Sequence, residues 1–351
     1  MTQVCLFVEK FYQKNRIFDL EDSTANRDNC LYPYWLLKEE LKKENILLET
    51  PDLCLNNKNL PLTIFNDLPK NLEEITSLNS SFKYGLLFET ELIKPQNWDL
   101  SFHKALNKVF TWNDDWVDNK KYFKFNFPQP PLSKKKAEQN YHRPIFCSLI
   151  AGNKHSSHPL ELYSERRKAI DFFSKGHHQK KGPFHLYGMD WGLLQLPHIP
   201  SLFNKILKKA KIPTFFPFDY PSYKGPVVSK YETLSQSVFC LCYENAKNIS
   251  GYITEKIFDC FFAGCIPIYW GPDNIDQHIP KDLFIDRRQF KSLEELLEFL
   301  LSLSEVEIIN IREKISSFLE SPKYYPFTSS FFVEVLSKHI RMDLELYKIR
   351  S

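Results

Sequence analysis

Apolar and polar positions along the chain fall into segments of two kinds. Short apolar runs, continuous or alternating, mark strands, and longer stretches with apolar residues three or four apart mark helices. Residues 4–8 form a strand by this rule. Residues 34–48 have helix-like spacing, with Lys and Glu between the apolar positions. Further strands are predicted at about 84–88 and 108–112. Between 125 and 144 the pattern stops: four prolines and the run Lys134-Lys135-Lys136 indicate an interdomain connection at about 126–144. The alternation then resumes. Strands are predicted at 145–151, 184–187, 238–243 and 265–270, with helices at 160–173, 231–236 and 254–263. From Ser292 onward the pattern is mainly helical. Continuous apolar strands joined by helices predict an α/β fold whose parallel strands are buried on both faces.

Composition narrows this picture. At 351 residues the chain is comfortable as two domains. Ten glycines against 22 prolines favour stiff loops over flexible linkers. A net charge of +3 provides no global field for nucleic acid, so no nucleic-acid partner is expected. On that basis Lys134–Lys136 and Lys208, Lys209 and Lys211 are solvated surface. The eight cysteines show no C-x-x-C pair. Cys240 and Cys242 would share one strand face as buried free thiols, and a reducing compartment is expected. No run approaches the ~18 apolar residues of a membrane span. The N-terminal apolar run is too short for a signal peptide. The expectation is a soluble cytoplasmic chain, with peripheral attachment at the inner membrane surface as its closest membrane contact. His155, His158, His177, His178 and His185 lack metal-ligand spacing and are taken as loop residues, so no metal is expected.

The segment from Val238 to Gly271 carries the chemistry. A buried strand delivers Glu244 and Asn245 to its C-terminal end, beyond which ligands bind in open α/β sheets. A polar loop leads to a helix opening near Thr254, a suitable N-cap, and stopping at Gly264. Glu255 and Lys256 therefore lie in its first turn. Free N–H groups and the helix dipole favour an anion there, and a lysine adds a full charge suited to a diphosphate. A glutamate there can accept hydrogen bonds from two ribose hydroxyls. On spacing alone, a dipole-favouring glutamate beside an exposed lysine is an equal reading.

Tyr243-Glu244-Asn245, then Gly251-Tyr252-Ile253-Thr254-Glu255-Lys256, then Pro267-Ile268-Tyr269-Trp270-Gly271 resembles the signature of the α-1,3-fucosyltransferases, glycosyltransferase family 10. Tyr243 stands where the family usually has phenylalanine. The stretch 224–234 is similar to the family's lead-in, and Cys147–Asn153 followed by Arg166 and Arg167 is similar to a block whose arginine meets the donor diphosphate. Leu87-Phe88-Glu89-Thr90-Glu91 through Pro95 is similar, more weakly, to a segment carrying the catalytic base. Its spacing to the proline selects Glu89, and a gapless comparison with shorter bacterial members selects Glu91.

The resemblance implies a GT-B architecture: two Rossmann-like domains facing a central cleft. An acceptor domain would span 1–140, a GDP-sugar domain 145–335, and a C-terminal helix 336–351. It implies inverting transfer of L-fucose from GDP-fucose to a glycan or glycoconjugate hydroxyl, the 3-hydroxyl of N-acetylglucosamine in a lactosamine-type sugar. Glu89 or Glu91 would be the base. Arg166 (or Arg167), Asn245, Tyr252, Glu255 and Lys256 would bind the donor, with no metal or cofactor. Three alternatives stay open: a GT-B transferase for another nucleotide sugar, a non-catalytic glycan or nucleotide-sugar binder, and a metal-dependent transferase. The last is disfavoured because Asp114-Asp115 and Asp118 form no D-x-D.

Overall fold

The computed structural model describes residues 2–54, 59–131, 143–176, 181–191, 209–210 and 220–350. The lysines at 134–136, 208 and 211, most of the proline-rich connection, and His177 and His178 lie outside these. The chain forms two compact units. One comprises Met1–Leu132, Ile249–Glu255 and Ser321–Ser351, and the other Ser133–Asn248 and Lys256–Glu320.

The first unit is built on six strands: β1 (Thr2–Phe7), β2 (Ile46–Glu49), β3 (Leu60–Asn66), β4 (Ser80–Leu87), β5 (Lys108–Thr111) and β6 (Tyr122–Lys124). All pair in parallel, in the order β2-β1-β3-β4-β5-β6. The order reverses between β1 and β3, the kind of switch point beside which open α/β sheets bind ligands. β3 is buried on both faces, as its apolar run requires.

Two elements differ from the periodicity reading. Residues 34–48 are not one helix. The helix Tyr32–Lys42 ends, Asn45 turns the chain at φ 56°, and Ile46–Leu48 pairs with Thr2–Val4 as β2. Spacing alone cannot separate a short buried strand from the continuation of a helix. Periodicity does not mark β3, because Pro61 interrupts its apolar run. Pro61 is tolerated because pairing with β1 starts only at Leu62.

The C-terminal division also differs. Residues from Ser321 onward group with the first unit, not with 145–320, and the last helix, Ser329–Arg350, begins before residue 336. Its buried face includes Phe332, Val333, Leu336, Ile340 and Leu344. Asp343 on this helix is buried yet satisfied: the Tyr84 hydroxyl donates to it at 2.5 Å and Lys108 Nζ at 2.8 Å. Both partners come from neighbouring strands more than two hundred residues earlier, so local pattern could not reveal this docking.

The cysteine reading needs one correction. Cys5 on β1 and Cys54 form a disulfide, with Cα atoms 6.0 Å apart. Cys240 and Cys242 are buried free thiols, as read from their strand spacing.

The second unit holds β7 (Ile145–Ile150), β8 (Phe184–Tyr187), β9 (Ser237–Tyr243), β10 (Ile266–Trp270) and β11 (Ile285–Asp286). They are also all parallel, in the order β11-β10-β9-β7-β8, with the switch point between β7 and β9. Here the predicted strands and helices fall within a few residues of those observed. Among the described residues, no helix is long and apolar enough to cross a membrane.

Candidate functional site

In the second unit, the signature forms around the C-terminal ends of β9 and β10. The Glu244 N–H donates to Trp270 O at 2.8 Å, and Asn248 N–H to Gly271 O at 3.2 Å, so the two strand exits are stitched together. Glu244 is fully buried. Its carboxylate accepts from Lys256 Nζ at 3.1 Å and from the Tyr269 hydroxyl at 3.1 Å. A buried carboxylate requires such partners. Lys256, near the start of the helix Glu255–Phe262, is therefore held by an ion pair, its side chain 25% exposed. Gly271 belongs to the same arrangement: a Cβ there would stand 2.5 Å from the Tyr269 hydroxyl.

Arg166, on the helix Tyr163–Ser174, is buried. Its Nη2 donates to Tyr243 O at 2.6 Å and to Asn245 Oδ1 at 3.1 Å, and its guanidinium lies over the Tyr163 ring. Arg166 thus fastens the end of β9 and orients Asn245 beside the switch point. Arg167 is half-buried and donates to Lys154 O at 2.8 Å and Ser164 Oγ at 3.3 Å. Burial lowers its pKa. The fold adds two cations that the motif does not include: Lys247 Nζ and the Arg287 guanidinium each lie 5.6 Å from the Trp270 ring centroid. Lys247 was findable, two residues after Asn245. Arg287 follows β11, and only the pairing of β11 with β10 brings it there.

The middle of the signature, Ile249–Glu255, groups with the first unit. Gly251 has φ 79°, and a Cβ on it would come within 2.3 Å of Trp112 O. Only glycine fits that position. Tyr252 is buried, its ring 4.7 Å from Trp112 and 6.0 Å from Phe127. So Arg166, Asn245 and Lys256 lie in the second unit's strand-end network, whereas Tyr252 sits in an aromatic cluster of the first.

Glu89 lies two residues beyond the end of β4, and Glu91 is exposed in the turn that follows. Asp67, just past β3, accepts at Oδ1 from Phe88 N–H (2.7 Å), Glu89 N–H (3.1 Å) and Asn97 Nδ2 (2.7 Å). Burial raises the Asp67 pKa, opposed by these hydrogen bonds. Asn97 is fully buried, and its Nδ2 also donates to Glu89 O at 3.0 Å. Trp112 Nε1 donates to Phe88 O at 2.8 Å. Neither Asp67 nor Asn97 was legible as a site residue, because each reaches Glu89 only through the fold.

Two Rossmann-like units with parallel sheets of reversing strand order define the GT-B class of glycosyltransferase fold. Within that class, residues 203–309 match the family described as Glycosyltransferase family 10 (fucosyltransferase) C-term. This bears out the resemblance read from residues 243–271. Over 74 residues the chain is 39% identical to Alpha-(1,3)-fucosyltransferase FucT of Helicobacter pylori, covering 21% of this chain and 15% of that protein. Over 70 residues it is 40% identical to 4-galactosyl-N-acetylglucosaminide 3-alpha-L-fucosyltransferase 9 of Mus musculus, covering 19% of each. The matched stretches thus span less than a fifth of either relative. A crystal structure of an alpha1,3-fucosyltransferase superposes with TM-score 0.55 at 16% identity, covering 89% of this chain and 81% of the other, which is a likeness of fold.

Proposed function

We propose that the protein is an inverting fucosyltransferase that moves L-fucose from GDP-fucose to a hydroxyl of an acceptor glycan, the 3-hydroxyl of N-acetylglucosamine in a lactosamine-type sugar. The observation that carries this reading is the Glu244–Lys256–Tyr269 network at the strand ends of a family 10 signature, with Asn245 oriented by Arg166 beside it. The named activities of the similar fucosyltransferases support the choice of donor and linkage.

In this reading the acceptor hydroxyl attacks the anomeric carbon from the face opposite GDP. The new C–O bond forms as the bond to the diphosphate oxygen breaks, and the electron pair leaves with GDP. The Glu89 carboxylate takes the hydroxyl proton; general-base help of this kind is worth ~10²–10⁴-fold. Lys256 and Arg166, or Arg167 beside it, meet the charge growing on the diphosphate, so the chemistry runs without a metal. Glu255 holds the ribose hydroxyls, and Asn245 and Tyr252 complete the donor contacts. The signature takes the donor, including its loop Ile249–Glu255 that groups with the first unit, and the rest of the first unit takes the acceptor. The enzyme works in the cytoplasm, with peripheral attachment at the inner membrane surface as its closest membrane contact.

The test is to incubate the purified chain with GDP-fucose and N-acetyllactosamine in EDTA, following GDP release and product mass and linkage. A fucosylated product with an α-1,3 bond is expected. Transfer only from another nucleotide sugar would overturn the donor, loss of activity in EDTA would overturn the metal-free mechanism, and donor binding without turnover would mark a binding protein.

A further inference from the structure

β4 ends at Leu87, so the peptide groups of Phe88 and Glu89 lie outside the strand. Strand-end backbone ordinarily turns to water for its partners. Here side chains from three separate segments take its place. Asp67 Oδ1 accepts both N–H groups, Trp112 Nε1 donates to Phe88 O, and Asn97 Nδ2 donates to Glu89 O. The Glu89 residue is thus gripped on both sides, its N–H by Asp67 and its C=O by Asn97. Asp67 and Asn97 are themselves bonded at 2.7 Å, which closes a ring.

The ring is anchored in turn. Asp67 sits in the left-handed region at φ 59°, a conformation aspartate tolerates better than most residues, and its N–H bonds Leu86 O at 2.9 Å. Asn97 lies in the short 3-10 helix Pro95–Trp98 that Pro95 opens. Its Oδ1 accepts from Leu68 N–H at 2.9 Å, and its carbonyl lies 2.9 Å from His103 Nε2. The Leu68 contact fixes which end of the amide faces Glu89. This gives the spacing from Glu89 to Pro95 a physical reason: the proline starts the turn that brings Asn97 back to the Glu89 carbonyl.

We propose that Asp67 and Asn97 are positioning residues that hold Glu89 in place for proton transfer, so that the base on this segment is Glu89 and not Glu91. The proposal rests on the reading that Glu89 or Glu91 is the general base. A reacting group must be held closely, and a misplacement near 1 Å costs ~100-fold in rate. A fully bonded backbone at the root of the side chain provides such a hold.

The test compares kcat and KM for GDP-fucose, with N-acetyllactosamine as acceptor, in Asp67→Ala, Asp67→Asn, Asn97→Ala and Glu89→Gln, alongside GDP affinity and melting temperature. The two alanine variants are expected to lose ~100-fold in kcat while GDP affinity and KM for GDP-fucose stay within ~2-fold. Asp67→Asn keeps an oxygen able to accept from both the Phe88 and Glu89 N–H groups and should restore kcat to within ~3-fold of wild type. Should Asn97→Ala fail to fold, the half-buried Asp67 pair of variants decides. Wild-type kcat in Asp67→Ala, or an Asp67→Asn no better than Asp67→Ala, would overturn the clamp. Full transfer by Glu89→Gln overturns the base assignment instead. A dead Glu89→Gln beside fully active alanine variants removes only the clamp.

Discussion

Lys256 is held by one of the protein's own buried charges. Its ammonium is paired with the buried Glu244, which also keeps the Tyr269 hydroxyl. Such a pair presents a cation at a helix start without the lysine sampling many rotamers, so on the proposed function less entropy would be lost in binding a diphosphate. Lys256→Ala removes both the cation and one of Glu244's partners. Calorimetric GDP affinity should fall by ~10–100-fold, in line with the ~1.5–3 kcal/mol of a charged hydrogen bond, while Tyr269 keeps Glu244 satisfied. Unchanged affinity would take Lys256 out of the donor site. In the first unit the contrast lies between two glutamates two residues apart. Glu89→Ala is expected to abolish transfer and leave GDP affinity intact, and Glu91→Ala to transfer at close to the wild-type rate, since Glu91 lies in an exposed turn. A dead Glu91→Ala in a transfer assay would reverse the assignment.

At the scale of elements, the C-terminal helix Ser329–Arg350 is tied to β4 and β5 by Asp343 and carries His339 against the rings of Phe110 and Phe123. Burial pushes the His339 pKa down to about 4, with Lys108 and Lys338 adding to the shift and Asp343 opposing it. The neutral imidazole is therefore favoured in the folded state. The unfolded chain binds this proton near pH 6.5, the folded chain only near 4. Between these values the unfolded state holds more protons, so stability falls as the pH is lowered through that window. Urea melts at pH 7 and pH 5 should show a loss that shrinks in His339→Gln; an equal loss in both would show that His339 is not its source. The signature loop makes a similar point through glycine: at Gly251 the backbone approaches Trp112 O closely and has positive φ, so the residue is set by the element it packs on rather than by a ligand.

At the scale of the molecule, each unit repeats one plan: a parallel sheet with its order reversing beside the first strand. The chain completes the first unit only at its end. Deleting residues 321–350 would remove the buried side chains of Phe332, Val333, Leu336, Ile340 and Leu344 and uncover the apolar surface they cover, a loss of roughly 1.5–3 kcal/mol for each side chain, more than a marginally stable domain can bear. Hydrogen exchange on the truncated chain should show β3, β4 and β5 unprotected and β9 and β10 still protected. Retained protection in β3 would show that the helix is dispensable to the first unit.

The sequence by itself determined most of the second unit and the donor-side motif. Its strands are continuous apolar runs, and the tyrosine-glutamate-asparagine, glutamate-lysine and proline-to-glycine groups lie within about thirty residues, where a strand, a loop and a helix start follow from local preference. In the first unit it gave β1, β4 and β5, and it narrowed the base to two glutamates. Only the tertiary structure decided that β2 is a strand, that Cys5 joins Cys54, and that the last helix completes the first unit. Only it brought Asp67, Asn97 and Trp112 around the Phe88 and Glu89 peptides. The reason is physical. Periodicity records which face of an element is buried, whereas a hydrogen bond between a strand end and a side chain from another segment depends on strand order and loop path. Neither leaves a repeat in the residues that make the bond.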